Sequence, residues 1–507
     1  MLKLKDIPRC EDERVRRGVF PTPQIWVEKS QEYLAKVFGD DWQEEYYIWD
    51  CCAGTCNLLA GLTEKHRIWA STIDQPDVNI VHELIAKNEF NLLAKHVFQF
   101  DFLNDDFAKL PKSLRDIIND PEKRKKLIVY MNPPYAEARG QQVGKSNKKG
   151  FHLSKTRDKY LDEIGKAAIE MFTQFAIRIY SDLPDAKLAM FSKLKYVNAP
   201  NFERFRGVFK ATYKNGFIVP ANTFDNVKGR FPIGFLIWDL EDKKTFKQIK
   251  TDVLDRTGRW KGTKTHYCCD KKTPLINVWV KTFAKTENSI ATIIGPAADF
   301  QHQSTVWILA PYSDSHWFHW QIGKENLLDS FIYFAIRHCI EATWVNDRDQ
   351  FLYPNDTYTT DKEFHTDCLI FTLLHHQNRI RSHCNTNHWI PFTAKEVDAK
   401  DNFRSAFMSD FLKTRKKMSK EAKAVFAAGK ALWKYYHQTI KTARRAVVDA
   451  SLYEIREYFK GRDEKGRMKT KATDERFNEL DAALRLALKK LAEKIQPKVY
   501  EYGFLRK

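Results

Sequence analysis

Four consecutive residues, Asn132, Pro133, Pro134 and Tyr135, carry groups that can hold an amine for chemistry. They follow the apolar run Leu127–Met131, and the paired prolines exclude helix and stiffen the backbone where that run ends. The turn therefore presents a carboxamide oxygen and a bare carbonyl oxygen, a pair of acceptors that fits the two N–H donors of an amino group. An amine held in this way can direct its nitrogen lone pair at an electrophilic methyl group, while Tyr135 lies flat on the attached base. The alternative is a simple proline turn.

A second cluster of chemically useful residues lies upstream, at the ends of two earlier apolar runs. Asp50 ends one run and is followed by a turn in which Gly54 lets a ligand approach the backbone. Asp74 ends the next run 24 residues later, where a carboxylate suits the hydroxyls of a ribose. These residues indicate a nucleotide-like ligand.

The third apolar run ends at Asp101, 27 residues beyond Asp74, and Asn132 follows after 31 more. The Asp101 carboxylate can accept from an adenine amine, while Phe102 or Phe100 packs on the ring. Four polar groups thus stand at strand ends with near-even spacing, which predicts that they share one site.

The elements that must position these residues are short apolar runs separated by helix-like segments. Such alternation predicts an α/β fold with a doubly wound, mostly parallel, seven-stranded sheet of the Rossmann-like type, which binds ligands at the carboxyl ends of its strands. The predicted strands are Tyr46–Trp49, Ile68–Ile73, His96–Phe100, Leu127–Met131, Lys187–Phe191, Phe217–Val219 and Ile233–Trp238.

Changes in composition and periodicity along the sequence predict three domains. Residues 1–245 form the catalytic domain, and the aromatic-rich residues 246–410, which lack a clear period, form a mixed domain expected to recognise the target. Residues 411–507 form a basic helical region, with predicted helices at Lys420–Ile440, Thr442–Phe459 and Asp474–Ile495.

Charge is concentrated at the end of this 507-residue chain, whose formal net charge is +19. Residues 411–507 hold 26 Lys and Arg against 12 Asp and Glu, a surplus of 14. Such a segment is typical of nucleic-acid binding, although a solvated helical face has the same composition. The residues expected to contact phosphates are Lys148 and Lys149 of a loop after the proline turn, and Lys416, Lys417, Arg444 and Arg445.

The nine cysteines form no even disulfide framework, which together with the missing secretory signal predicts a reducing, cytoplasmic location. Cys51, Cys52 and Cys56 are expected to be small buried side chains, and no metal site is predicted. No apolar run approaches the ~20 residues of a membrane span.

The residues described above resemble the S-adenosylmethionine (SAM)-dependent amino-group methyltransferases of DNA, specifically their N6-adenine branch. The segment Val19–Pro23 is similar to the methionine-contacting motif of that family. This segment precedes the Gly turn, and the predicted target-recognition residues follow the catalytic motif. This order of motifs along the chain resembles that of the gamma class. The resemblance covers roughly residues 14–240 and departs from the family at Cys56, where a second glycine is usual.

The resemblance implies SAM as cofactor, double-stranded DNA as partner, and a restriction-modification or orphan enzyme of bacterial or phage origin. It implies that the base of a flipped-out adenine lies between Tyr135 and Phe224, with Phe231 as the fallback for Phe224. The implied catalytic residues are Asn132, Pro133, Pro134 and Tyr135. The implied cofactor-binding residues are Phe20, Thr22, Pro23, Asp50, Gly54, Asn57, Asp74, Asp101 and Phe102.

Several alternatives remain open at this stage. The same acceptor pair serves RNA adenine, cytosine N4 and protein glutamine, and a DNA-binding module with a vestigial methyltransferase fold is the non-enzymatic alternative. Cytosine C5 methylation is disfavoured because no Pro-Cys nucleophile loop follows the fourth strand. Only about 18 residues precede the first motif, so DNA cleavage is expected only from a separate restriction endonuclease. The oligomeric state and the recognition sequence are not predicted.

Overall fold

The computed structural model describes residues 22–135, 154–224, 227, 229–311, 316–382, 386–415, 417–440 and 447–507. By its internal contacts the chain divides into two compact units. The first unit comprises Met1–Lys272 together with Thr343–Arg348, and the second comprises Thr273–Ala342 together with Asp349–Lys507. Each unit has hydrophobic core clusters of its own.

A nine-stranded sheet forms the centre of the first unit. Its strands are β1 (Tyr47–Asp50), β2 (Ile68–Thr72), β3 (Val97–Gln99), β4 (Leu127–Met131), β5 (Lys187–Lys193), β6 (Thr212–Pro220), β7 (Pro232–Asp239), β8 (Gln248–Leu254) and β9 (Trp260–Tyr267). Their order across the sheet is β3-β2-β1-β4-β5-β7-β6-β8-β9. The first five in this order are parallel, β7 runs antiparallel to both β5 and β6, β8 is parallel to β6, and β9 is antiparallel to β8.

Each of the seven apolar runs seen in the sequence forms a strand, but the sheet has nine strands rather than seven. The two additional strands escape the sequence pattern because β9 is mostly exposed and polar, and β8 buries only alternate side chains along most of its length. Since β8 and β9 extend the sheet of the first unit, the main segment of this unit ends at Lys272 instead of the predicted residue 245.

The sheet is covered on both faces, as expected for a doubly wound fold. Along β4, Leu127, Val129 and Met131 enter one hydrophobic core, while Ile128 and Tyr130 enter the other. Successive side chains of a strand point to opposite faces, so a strand buried on both faces reads as one continuous apolar run.

Helices of the first unit supply both layers. Helix α1 (Gln24–Phe38) packs in the core that contains Tyr130, whereas α6 (Lys155–Ile164) and α7 (Met171–Asp182) pack in the core that contains Met131. The helices are α1 (Gln24–Phe38), α2 (Trp42–Glu45), α3 (Gln75–Ala86), α4 (Lys112–Asn119), α5 (Pro121–Lys125), α6 (Lys155–Ile164), α7 (Met171–Asp182), α8 (Lys195–Asn198) and α9 (Glu203–Val208).

The second unit combines a three-stranded antiparallel sheet with a helical layer. The strands are β10 (Ala291–Ile294), β11 (Trp307–Leu309) and β12 (His319–Ile322), with β10 in the middle. The helices are α10 (Ile276–Val280), α11 (Leu327–His338), α12 (Lys362–Leu374), α13 (Phe407–Lys413), α14 (Lys420–Ile440), α15 (Leu452–Lys460) and α16 (Glu475–Glu501).

The predicted helix at Lys420–Ile440 agrees with α14, and α16 begins one residue later and ends six residues later than predicted. The middle helix is shorter than expected. It begins after Ser451, whose side chain accepts from the Glu454 backbone N–H while the Glu454 carboxylate accepts from the Ser451 N–H. This capping box fixes the start of α15.

One hydrophobic core runs through the second unit from Ile276 to Leu505. Residues that the sequence assigns to a mixed domain ending at 410 therefore share a core with the helices beyond 411. No helix among the described residues is long and apolar enough to cross a membrane.

Candidate active site

Hydrogen bonds of Asn132 fix the turn after β4. Its Nδ2 donates to Oγ1 of Thr22 at 2.9 Å, and the Tyr135 hydroxyl donates to its Oδ1 at 2.6 Å. Strand β4 is buried along its whole length, so the half-buried Asn132 is the first residue after it that can face a ligand. These partners orient the amide with Oδ1 as an acceptor, the role that the sequence predicts.

Thr22 joins three of the predicted motifs. It lies directly before Pro23 and α1, its backbone carbonyl accepts from Asn57 Nδ2 at 3.3 Å, and its hydroxyl accepts from Asn132. Only 3% of Thr22 is exposed. The segment before α1, the Gly turn and the proline turn therefore meet at one buried residue.

Helix α1 is itself fixed against the loop that carries the predicted stacking residue Phe224. The indole Nε1 of Trp26 donates to Oγ1 of Thr223 at 2.9 Å, and the Trp26 side chain is fully buried. This contact places the loop after β6 beside the start of α1.

The rings of Tyr135 and Phe224 lie together, but not as two parallel faces. Their centroids are 6.4 Å apart with an interplanar angle of 81°, an edge-to-face contact. Both side chains are buried, and Phe224 also contacts Phe191 edge to face at 5.9 Å. The predicted pair is thus brought together, and a planar base can enter between the rings only if one of them turns.

The Gly turn after β1 depends on a buried carboxylate. Asp50 is 2% exposed and accepts from the Cys52 backbone N–H at 3.1 Å, and burial raises the pKa of Asp50 to about 7. Gly54 adopts a positive φ of 52°, and a side chain placed there would meet no atom within 4 Å. The space beside Gly54 is consistent with a backbone that a ligand approaches closely.

Cys56 stands where the methyltransferases that the sequence resembles usually have a glycine. Its φ of 63° lies in the left-handed region that favours glycine, and its side chain is 1% exposed. The thiol packs in the core that contains Tyr130, so burial of the side chain offsets a backbone strain of about 1 kcal/mol.

Asp74 and Asp101 occupy equivalent places on neighbouring strands. Thr72 of β2 is paired with Gln99 of β3, and each aspartate lies two residues beyond its member of that pair. Asp74 is half-buried at the start of α3, and Ile73 beside it is 57% exposed. Sequence reasoning missed Ile73; an apolar side chain in such a place offers a flat base a contact surface.

The Asp101 carboxylate already bonds its own loop. Oδ1 accepts from the Leu103 N–H at 3.0 Å and Oδ2 accepts from Asn104 Nδ2 at 2.7 Å. Phe102 differs from its prediction: its ring is stacked on Phe175 at 5.2 Å within the core and is 3% exposed. Phe102 therefore packs beneath the loop instead of facing the edge of the sheet, and Phe100, the alternative that the sequence offers, is buried in the same core.

Two residues that the sequence did not indicate hold the far side of the proline turn. Lys193, the last residue of β5, donates through Nζ to the Tyr135 carbonyl at 2.8 Å. Glu170 is 5% exposed and pairs with Lys193 at 3.5 Å and with Lys195 at 2.6 Å. No local pattern marks these residues, because a buried ion pair depends on strands and helices that are distant in sequence.

Six predicted residues lie outside the described residues: Phe20, Lys148, Lys149, Lys416, Arg444 and Arg445. Lys417 is described and exposed. Much of the positive charge beyond residue 411 is locally paired, for example Lys413 with Asp410 at 2.7 Å and Lys430 with Glu396 at 2.7 Å. A net positive charge therefore remains only where a Lys or Arg side chain has no carboxylate close to it.

Burial raises the pKa of the Cys51, Cys52 and Cys56 thiols, so these side chains stay protonated near neutral pH and are poor nucleophiles. Among the described residues no group of three or more His, Cys, Asp or Glu side chains is arranged to hold a metal ion.

No family profile matches the chain, and no curated protein is significantly similar to it. Parts of solved structures are similar. The protein of a DrdV–DNA complex matches at 15% identity and a TM-score of 0.36, over 48% of this chain and 28% of that one. The methyltransferase subunit of a type I restriction-modification system from Streptococcus thermophilus matches at 14% identity and a TM-score of 0.32, over 49% and 50% of the two chains.

A putative class I SAM-dependent methyltransferase from Listeria monocytogenes matches at 13% identity and a TM-score of 0.31, over 50% of this chain and 69% of that one. This chain spans half or less of the DrdV protein and of the type I subunit.

Proposed function

We propose that this chain is a SAM-dependent DNA methyltransferase that transfers a methyl group to N6 of a flipped-out adenine within a specific sequence. The observation that carries the proposal is the pair of hydrogen bonds on Thr22, which link it to Asn57 of the Gly turn and to Asn132 of the proline turn. A cofactor held by the first turn would lie next to an amine held by the second.

The residues at this edge of the sheet fit SAM. The open space at Gly54 admits the methionine part, with Thr22 and Asn57 as its polar neighbours. Asp74 suits the ribose hydroxyls and the exposed Ile73 suits the adenine ring, at the place where doubly wound folds bind nucleotides. Phe20, Pro23, Asp50 and Asp101 complete the proposed set. When bound, SAM supplies a methyl group on a positively charged sulfur.

The proline turn positions the target amine. In this proposal an N–H of the adenine amine replaces the Tyr135 hydroxyl as the donor to Asn132 Oδ1. The Pro133 carbonyl accepts a hydrogen bond from the second N–H, and Pro134 keeps the turn rigid. The nitrogen lone pair would then point out of the ring plane towards the methyl carbon. As the C–N bond forms, the bond between the methyl carbon and the sulfur would break with its electron pair left on the sulfur, and water would take the proton that the nitrogen loses. Tyr135, released from Asn132, turns to face the base opposite Phe224.

The partners follow from the same proposal. Double-stranded DNA is the substrate, the residues after the catalytic domain recognise the sequence, Lys417 is among the residues that contact phosphates, and a separate restriction endonuclease completes a restriction-modification system. RNA adenine, cytosine N4 and a vestigial fold without activity are the competing outcomes.

The test is native-DNA modification sequencing of a methylation-deficient bacterial host that expresses the protein. We expect N6-methyladenine at one short motif, its loss with Asn132→Ala, and its retention with the control Asn119→Ala, which changes an exposed asparagine of α4. Modified cytosine at the motif would overturn the choice of base. A folded, SAM-binding protein that leaves DNA unmodified would overturn the DNA substrate.

A further inference from the structure

Three arginines and two aromatic rings form a compact cluster on the second unit. The guanidinium of Arg379 lies 4.4 Å from the centroid of the Trp307 ring, and that of Arg381 lies 4.9 Å from the centroid of the Tyr453 ring. The Tyr453 hydroxyl accepts from Arg381 at 3.2 Å and from Arg462 at 3.0 Å. We call Arg379, Arg381 and Arg462 the arginine face.

The backbone beneath the arginine face is well fixed. Arg379 donates its backbone N–H to the carbonyl of Ile308 at 2.8 Å, and Asn378 forms a parallel bridge with Ile308. Ile380 is 3% exposed and points into the core, so Arg379 and Arg381, two residues apart, lie on the opposite side of the segment. The aromatic rings hold both guanidiniums flat, which reduces the entropy lost when they bind a ligand.

Of the three residues of the arginine face, only Arg462 forms an ion pair among the described residues. Among the described residues, neither Arg379 nor Arg381 has a carboxylate within 4 Å, whereas Arg462 pairs with Glu457. The two stacks are neighbours because Arg379 and Arg381 are only two residues apart on one segment.

A second group of cations includes Arg456 and Lys460 of α15, the helix that carries Tyr453. Arg456, Lys460 and Arg485 all pair with the single carboxylate of Asp481, at 3.5, 2.9 and 2.8 Å, and Asp481 is 6% exposed. This group keeps a surplus of two positive charges. Arg456 lies three residues after Tyr453 on α15, so the two side chains project from the same side of this helix.

We propose that the arginine face binds the sugar-phosphate backbone of double-stranded DNA. The inference rests on the proposed function and adds the surface of the second unit that docks the substrate. Planar guanidiniums donate two parallel hydrogen bonds to phosphate oxygens, and a rigid pair on one extended segment suits a ligand with regularly spaced anions. Phosphate contacts position DNA without reading its bases, so the contribution to affinity should be independent of sequence.

The test compares two triple variants of the full chain in salt titrations of DNA binding. The first carries Arg379→Gln, Arg381→Gln and Arg462→Gln. The control removes the same three charges from exposed residues of the same unit through Arg467→Gln, Arg476→Gln and Lys490→Gln. We expect the first variant to bind any duplex roughly tenfold or more weakly, and its salt dependence to decrease by about 0.9 for each phosphate that it no longer neutralises. The control should keep the wild-type slope.

Equal slopes for the two variants would overturn the inference. A loss restricted to the cognate sequence, at an unchanged slope, would also overturn it, because that result indicates base reading. Thermal unfolding verifies that both variants fold. Methylation by the wild-type protein tests the proposed function separately: if it methylates DNA and the arginine variant binds normally, only this inference fails.

Discussion

At the residue scale, the Tyr135 hydroxyl and a bound amine compete for Oδ1 of Asn132. In the proposed reaction the hydroxyl must leave this oxygen, and only the ring contacts the base. We therefore expect Tyr135→Phe to keep kcat within about threefold, whereas Tyr135→Ala loses about 1–3 kcal/mol of stacking, roughly a 5- to 150-fold fall in activity. Single-turnover methylation assays measure both. An inactive phenylalanine variant would show that the hydroxyl itself takes part.

A second prediction at the residue scale concerns Asp50 and the dependence of stability on pH. Burial raises its pKa from 3.8 to about 7, so between these values the folded state binds more protons than the unfolded state. The contribution of Asp50 to stability is therefore present below pH 4 and is lost as pH rises towards 7, at up to about 1.4 kcal/mol per pH unit.

We expect Asp50→Asn to gain stability relative to the wild type, by a few kcal/mol at most, when the pH is raised from 5 to 8. Urea unfolding of both proteins without SAM at the two pH values measures the difference. A difference that is the same at both values would show that Asp50 is ionised in the folded protein throughout this range.

At the element scale, the end of β5 supports the turn after β4. Lys193 donates to the Tyr135 carbonyl and shares the buried Glu170 with Lys195. We expect Lys193→Met to lower kcat by roughly tenfold, about the value of one charged hydrogen bond, while the affinity for SAM is unchanged. The comparison variant is Lys195→Met, which keeps Lys193 on the turn and should affect kcat less. Equal effects of the two variants on kcat would mean that the ion pair, and not the contact with Tyr135, matters.

The elements also show how far the sequence could predict the fold and the site. The strand ends before Asp50, Asp74 and Asn132 were predictable because strands buried on both faces read as apolar runs, whereas the edge strand before Asp101 buries only Val97 fully. Strands β8 and β9 were not, because β8 buries only alternate side chains along most of its length and β9 is polar with a single buried side chain. The sequence pattern predicts that Asp101 and Phe102 follow the third strand of the sheet. Only the packed structure shows that the Phe102 ring lies in the core.

At the scale of the whole molecule, a change in composition near residue 411 does not mark a boundary between cores. Leu369 and Phe331, which precede this point, lie in the same core as Trp433, Leu491 and Phe504, which follow it. Basic surface residues give the helices their distinct composition, while their buried faces complete the second unit. Net charge thus reflects the surface and its ligands, whereas the core defines which residues fold together.

A truncation tests this distinction. Removal of residues 411–507 takes away α14, α15 and α16, and leaves α11 and α12 without the partners of their buried faces. We expect residues 273–410 of the shortened chain to lose their protection from proteolysis, because removing a Trp or Leu from a core costs about 2–5 kcal/mol and a domain is stable by only about 5–15 kcal/mol. Limited proteolysis of the full and shortened chains, with fragments identified by mass, measures this. A protease-resistant fragment ending near residue 410 would instead favour the three-domain division that the composition predicts.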